Sequence, residues 1–258
     1  MHPELVRFSV FGVERAIYSY GFFVLLGIAS GLTIAIFRAR SEQLLRFDVL
    51  AAGLFAVIGG LGGGVALYIA VHVPLFVADP SLLLQPGLVF YGGLIGGAGA
   101  AALYCRIYNV PLPRVADAAA PGLAFGHALG RIGCLLGGCC YGRVVAPSFP
   151  LAVELAGAAR HPVQLYEAAG LVVIAVVTAL MPRRPARPNA GGIFTVYLGL
   201  YAVLRLATER FRGDDFERSN IPGIRGSSTS QLIASVMLVA AVALLYHLYR
   251  PSNQKGAT

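Results

Sequence analysis

The residue types best suited to chemistry are concentrated in one glycine-rich stretch, residues 126–143, with the sequence GHALGRIGCLLGGCCYGR. Within it, His127 and Arg131 are four residues apart and would lie on the same face of a helix. Arginine keeps its charge in a protein, and a charge inside an apolar segment marks a functional site by default. The stretch therefore predicts a buried cationic site in a membrane helix. The alternative is that the glycines serve helix packing and that Arg131 reaches the lipid headgroups.

Three of the four cysteines, Cys134, Cys139 and Cys140, fall in the same stretch. We interpret them as small apolar residues that pack beside the glycines. A disulfide is the next alternative, because the outer loops of a membrane protein face an oxidising compartment. A structural zinc site takes four ligands at defined spacings, and three cysteines with His127 make an irregular set. We therefore predict neither a metal site nor a cofactor.

A second polar segment, residues 161–167, has the sequence HPVQLYE. Proline suits the first turn of a helix, so a helix is predicted to begin here. Gln164 and Glu167 would then lie one turn apart and face a common side.

A third set of polar residues recurs at every fourth position: Tyr197, Tyr201, Arg205 and Glu209. All four would stack on one face of a helix. An ion pair between Arg205 and Glu209 is the structural alternative to a catalytic role for Glu209. Two buried arginines, Arg131 and Arg205, require an anion, and the abundant anion in a bilayer is lipid phosphate, which guanidinium binds bidentately.

The composition indicates what kind of protein must position these residues. Of 258 residues, 57% are hydrophobic and 12% are charged, about half the charged share of a soluble domain, roughly 25%. The net charge of +8 comes almost wholly from arginines between apolar spans. Anionic lipid headgroups, and not nucleic acid, are the natural partners of such arginines. We predict an all-α, polytopic integral membrane protein.

Seven segments approach the roughly 20 residues that a helix needs to cross a bilayer. We treat the chain, residues 1–258, as one transmembrane domain with spans near residues 16–37, 48–71, 88–108, 115–137, 162–181, 191–211 and 229–249. Loops on the side of the C-terminus carry ten basic residues, against seven on the other side. The positive-inside rule therefore predicts a cytoplasmic C-terminus and an outward N-terminus. Loops 138–161 and 212–228 would both face outward.

Five stretches together resemble the prolipoprotein diacylglyceryl transferase family of bacteria, in the expected order and over nearly the whole chain. The stretches GRIG and HPVQLYE are specific to it, whereas YGGLIGG alone is weak. The five are Tyr20-Gly21, YGGLIGG at 91–97, GRIG at 130–133 continuing to YGR at 141–143, HPVQLYE at 161–167, and YAVLRLATERFR at 201–212. The resemblance implies a multi-pass protein of the bacterial inner membrane.

The resemblance also implies a reaction, transfer of the diacylglyceryl group of phosphatidylglycerol to the thiol of a lipobox cysteine in a prolipoprotein signal peptide. A thioether forms, and glycerol phosphate leaves. The enzyme must favour thiol deprotonation and stabilise charge on the phosphate. By resemblance, the catalytic residues are Arg131, Arg205 and Glu209. The implied substrate-binding residues are Tyr20, Tyr91, Gly92, Gly93, Arg143, His161, Gln164, Tyr166, Glu167 and Tyr201.

The chain departs from the family pattern at three positions. Tyr91 stands where the family usually has histidine, and Cys134 and Cys139 stand where it has asparagine and glutamate. From its spacing to Arg131, we predict that His127 supplies the base that Tyr91 cannot. The departures leave two alternatives open: a non-catalytic relative that binds or transports phosphatidylglycerol, and an enzyme with the same chemistry on another acceptor.

Overall fold

The computed structural model describes residues 3–10, 13–84, 87–182, 190–213 and 228–250, and these are mostly helical. The helices are α1 (Ser19–Ala39), α2 (Arg46–Val71), α3 (Val73–Ala78), α4 (Phe90–Ile107), α5 (Leu112–Leu136), α6 (Val163–Leu180), α7 (Gly192–Glu209) and α8 (Thr229–Tyr249). Apart from the short α3, each begins and ends within three residues of a predicted span. The lengths of the apolar segments therefore predicted the positions of these seven helices.

Five of the described helical segments are long and apolar enough to cross a membrane: Ser19–Glu42, which extends α1, and α2, α6, α7 and α8. This supports a helical membrane protein. Crossing by α4 and α5, and with it the count of seven spans and the placement of the termini, stays a prediction.

The described chain also contains two short antiparallel hairpins, which the all-α expectation missed. Strands β1 (Glu4–Val10) and β2 (Val13–Tyr18) pair at the N-terminus, and β3 (Val153–Leu155) pairs with β4 (Ala158–Arg160) in the loop before α6. The first span is predicted to begin near residue 16, whereas α1 begins at Ser19, because residues 16–18 belong to β2 and pair with β1.

By its internal contacts, the chain divides into two compact units, residues 1–34 with 119–258 and residues 35–118. In the second unit, α2 and α4 pack through glycines. A Cβ atom at Gly92 or Gly96 would collide with the backbone carbonyls of Gly63 and Gly59. Such close backbone approach is a recurrent packing mode of membrane helices. The glycine-rich start of α4 is therefore in contact with α2.

In the first unit, α1 packs against α5 in the same way. A Cβ atom at Gly126 would meet the Gly27 carbonyl, and one at Gly122 would meet the Gly31 carbonyl. Gly126, in the glycine-rich stretch, is thus in contact with a neighbouring helix. On its other side, α5 packs against α6 and α7 through a core that contains Ala124, Ala128, Ala168, Leu171, Ile174, Ala175, Tyr201 and Leu204.

Candidate functional site

Glu167, on the second turn of α6, is the point where the charged residues of three segments meet. Its side chain is buried, with 4% of the residue exposed. One carboxylate oxygen, Oε2, lies 2.5 Å from Nε of Arg131 on α5. The other, Oε1, accepts a hydrogen bond of 2.9 Å from Nη1 of Arg205 on α7. Thr208 donates a further hydrogen bond of 3.2 Å to Oε1. Glu167 therefore joins the two predicted catalytic arginines.

Glu209 forms the second acidic centre. Its Oε2 lies 3.1 Å from Nη2 of Arg205, so the two residues form the ion pair that their spacing offered as the structural alternative, and a catalytic role for Glu209 stays a prediction. The same Nη2 donates a hydrogen bond of 2.8 Å to Oγ of Ser230 at the start of α8. Arg212 completes the group, with Nη1 3.8 Å from Oε1 of Glu167 and Nε 4.0 Å from Oε2 of Glu209.

These five side chains form what we call the arginine–glutamate network: Arg131, Arg205, Arg212, Glu167 and Glu209. Three guanidinium groups face two carboxylates, so the network carries one positive charge in excess. The side chains of its arginines are only 13–15% exposed, which excludes the alternative that Arg131 extends to the headgroups. Buried charges are tolerated only when they are paired. Nε of Arg131 and Oε2 of Glu209 are paired by charge but lack an aligned hydrogen-bond partner among the described residues.

Three rings in successive contact, those of His127, Tyr201 and Tyr197, lie beside the network. The His127 ring, one turn before Arg131 on α5, has its centroid 5.3 Å from that of Tyr201. Tyr201 in turn stacks on Tyr197 at 6.3 Å. The structure thus places His127 and Tyr201 in contact. Sequence spacing could not show this, because the two residues lie on different helices.

The segments before α6 and after α7 meet at the end of the site. Gly142 pairs with Arg212 in an antiparallel bridge, and the backbone N–H of Arg143 donates to the Phe211 carbonyl at 2.8 Å. A Cβ atom at Gly142 would collide with the His161 backbone. This backbone pairing fixes the position of Arg212, three residues after the end of α7, and hence the direction of its side chain. The side chain of Arg143 is exposed and donates to the Arg212 carbonyl at 3.1 Å.

His161 lies where the segments before α6 and after α7 are in contact. Its Nδ1 is 3.3 Å from the Tyr166 hydroxyl, and its ring contacts that of Phe211 at 5.2 Å. Gln164 is 1% exposed. Its Nε2 donates a hydrogen bond of 2.7 Å to the Cys139 carbonyl, while its Oε1 has no hydrogen-bond partner in the described part of the chain.

The thiols of Cys134, Cys139 and Cys140 lie within 4.8 Å of one another, and we call them the thiol cluster. Cys134 is buried, but Cys139 is exposed, so Cys139 does not have the packing role that we expected. Hydrogen bonds from the other two thiols, and the guanidinium groups of Arg131 and Arg212, lower the pKa of the Cys140 thiol.

Three of the predicted residues, Tyr91, Gly92 and Gly93, belong to the second unit, and their role in substrate binding stays a prediction. Tyr20 on α1 is 51% exposed, and its backbone packs against Gly133.

Sequence reasoning missed Arg212 as a member of the network, and it missed Thr208 and Ser230 as hydrogen-bond partners of Glu167 and Arg205. Arg212 follows Glu209 at the three-residue spacing that places side chains on one helix face, so a signal was present. Thr208 and Ser230 gave none, because hydroxyl residues are common in membrane helices.

Sequence comparison shows which known proteins this chain is similar to. The model of the prolipoprotein diacylglyceryl transferase family matches residues 7–247. The phosphatidylglycerol–prolipoprotein diacylglyceryl transferase of Clostridium tetani is 30% identical over 249 residues, covering 92% of this chain and 94% of that protein. The second such transferase of Clostridium perfringens is 32% identical over 265 residues, covering 98% of each. The chain therefore belongs to the prolipoprotein diacylglyceryl transferase family.

Proposed function

We propose that this protein transfers the diacylglyceryl group of phosphatidylglycerol to the thiol of a lipobox cysteine in a prolipoprotein. The product is a thioether, and glycerol phosphate is released. The observation that carries the proposal is the arginine–glutamate network, a buried group of charges with one positive charge in excess. Its place in the apolar helices suits a lipid phosphate, and the names of the relatives match this substrate.

The chemistry follows from what the network can stabilise. The acceptor thiolate attacks the glycerol carbon, the carbon–sulfur bond forms, and the bond from that carbon to the phosphate oxygen breaks. The electron pair of the broken bond passes to the phosphate. Arg131 and Arg205 hold the phosphate through charge-assisted hydrogen bonds and stabilise the charge that develops on it. Glu167 and Glu209 hold both guanidinium groups in place before substrate binds.

The remaining predicted residues have supporting roles. His127 accepts the proton of the acceptor thiol, a role supported by its place one turn from Arg131. Gln164 has a buried amide oxygen that can accept a hydrogen bond from a headgroup hydroxyl of phosphatidylglycerol. Arg143, His161 and Tyr166 contact the headgroup or the signal peptide at the exposed end of the site, and Tyr20 and Tyr201 line the substrate path. A substrate-binding role for Tyr91, Gly92 and Gly93 rests on the resemblance of YGGLIGG to the family motif.

We further propose that the protein crosses the bacterial inner membrane seven times, with an outward N-terminus and a cytoplasmic C-terminus. The support is the excess of basic residues in the loops on the C-terminal side. A fluorescent protein fused to the C-terminus should then be fluorescent, and a periplasmic phosphatase fused there should be inactive. The reverse result would overturn the orientation.

The test of the activity uses purified protein in detergent, phosphatidylglycerol and a lipobox peptide, with mass spectrometry for the diacylglyceryl adduct. We expect turnover in the parent and none in Arg131→Ala or Arg205→Ala. A peptide with serine in place of cysteine and phosphatidylethanolamine as lipid are the substrate controls. Binding of phosphatidylglycerol without turnover, dependent on both arginines, would instead identify a lipid-binding relative.

A further inference from the structure

Two of the three thiols lie close together because of the backbone conformation at the end of α5. The Cys139 N–H donates to the Cys134 carbonyl at 3.1 Å, and the Gly138 N–H donates to the Leu135 carbonyl at 3.1 Å. This pair of bonds, with Gly138 at φ +73°, is a Schellman motif, which brings together the side chains three residues before and two residues after the helix cap. Those side chains are Cys134 and Cys139.

Cys140 joins them through an unusual backbone conformation. Its φ is +57°, in the left-handed region that residues other than glycine seldom occupy. This turn brings its thiol back towards the other two, so that all three Sγ atoms lie within 4.8 Å. The loop is further held by Gln164, whose buried side chain donates to the Cys139 carbonyl. The three thiols are thus positioned by the helix end, by the turn and by α6.

We propose that the thiol cluster binds one thiophilic metal ion, such as Zn²⁺, through three thiolates, with a fourth position open to water. Thiolates bind zinc at about 2.3 Å, so two of them in a tetrahedral site are about 3.8 Å apart. Binding therefore requires each pair of sulfurs to approach by at most about 1 Å. Soft thiolates select zinc or monovalent copper over magnesium or calcium.

A metal ion here would connect the end of α5 to the exposed end of the site. The residues directly after Cys140 make the backbone pairing with the end of α7: Gly213 N–H donates to the Tyr141 carbonyl at 3.2 Å, and Gly142 pairs with Arg212. By fixing Cys139 and Cys140 to Cys134, the ion restricts the segment that positions Arg212. The proposal does not depend on the transferase activity.

The direct test measures metal in the full-length protein. After reduction and chelation, protein in detergent is titrated with Zn²⁺, and with Co²⁺ to detect thiolate-to-metal charge-transfer absorption. We expect about one equivalent to bind. Cys134→Ser, Cys139→Ser and Cys140→Ser should each weaken binding by at least about tenfold, whereas Cys105→Ser, a buried cysteine of the second unit, should not. Equal binding in the three variants and the parent would overturn the proposal.

A second test needs no variant and so does not depend on whether a variant folds. Zn²⁺ should slow the alkylation of Cys139 and Cys140 in the parent, and should slow hydrogen exchange at residues 141–143 and 211–213. Alkylation at the same rate with and without Zn²⁺ would contradict the site. A disulfide between Cys134 and Cys139 in protein purified without reductant, with no metal bound after its reduction, would identify a redox pair instead.

Discussion

The carboxylate of Glu167 accepts a hydrogen bond of 2.9 Å from Arg205 on a neighbouring helix. With its other oxygen, Glu167 pairs with Arg131 on a third helix. One buried acidic residue therefore sets the distance between two guanidinium groups. Because these groups are fixed before substrate binds, little reorganisation is needed when charge develops on a phosphate.

Removing the charge of Glu167 should damage both folding and activity. Glu167→Gln leaves three buried guanidinium groups with one carboxylate, and breaking a buried pair costs about 3–5 kcal/mol. We expect a clear fall in the melting temperature of the protein in detergent, with loss of turnover. Glu154→Gln, which changes an exposed carboxylate on β3, is the control and should match the parent. A parent-like melting temperature for Glu167→Gln would show that Glu167 does not hold the network together.

Arg212 should matter for turnover, because its guanidinium group faces both carboxylates of the network. Arg212→Gln removes one guanidinium group that faces both Glu167 and Glu209. Loss of one preorganised donor lowers kcat by roughly 10²-fold, and we expect a loss of that order in the peptide assay. Arg210→Gln is a matched control, since Arg210 is two residues away and exposed. Equal turnover in the two variants would remove Arg212 from the site.

His127 can be tested as the base by His127→Gln, which keeps a polar side chain of similar size. Loss of a general base costs about 10²–10⁴-fold in rate. The loss should shrink as the assay pH rises towards the pKa of the acceptor thiol, because the thiolate then forms without help. His247→Gln, on α8, is the control. Unimpaired turnover in His127→Gln at neutral pH would exclude the role.

The packing of α1 on α5 predicts a large difference between two glycines of one helix. A Cβ atom at Gly126 would meet the Gly27 carbonyl at 2.6 Å, whereas no described atom lies within 4 Å of the same position at Gly130. Overpacking costs about 1–3 kcal/mol. Gly126→Ala should therefore lower the melting temperature and Gly130→Ala should not. If both variants melt alike, the close approach of the two helices is wrong.

Local features of the sequence predict where the helices lie and which neighbouring residues could pair. Apolar length located seven of the described helices to within three residues. Four-residue spacing offered an ion pair of Arg205 with Glu209 as one of two alternatives. Both features depend only on neighbouring residues. The family motifs identified Arg131, Arg205 and Glu167 as candidates.

Which of these residues contact one another depends on the tertiary structure. Glu167 faces Arg131, Arg205 and Arg212 because α5, α6 and α7 pack together around small residues such as Ala128 and Ala168. Periodicity shows which face of each helix is polar, but the pairing of faces depends on the packing of side chains that are distant in sequence. The same packing placed Arg212 in the network and brought the Gln164 side chain to the loop that carries the thiol cluster.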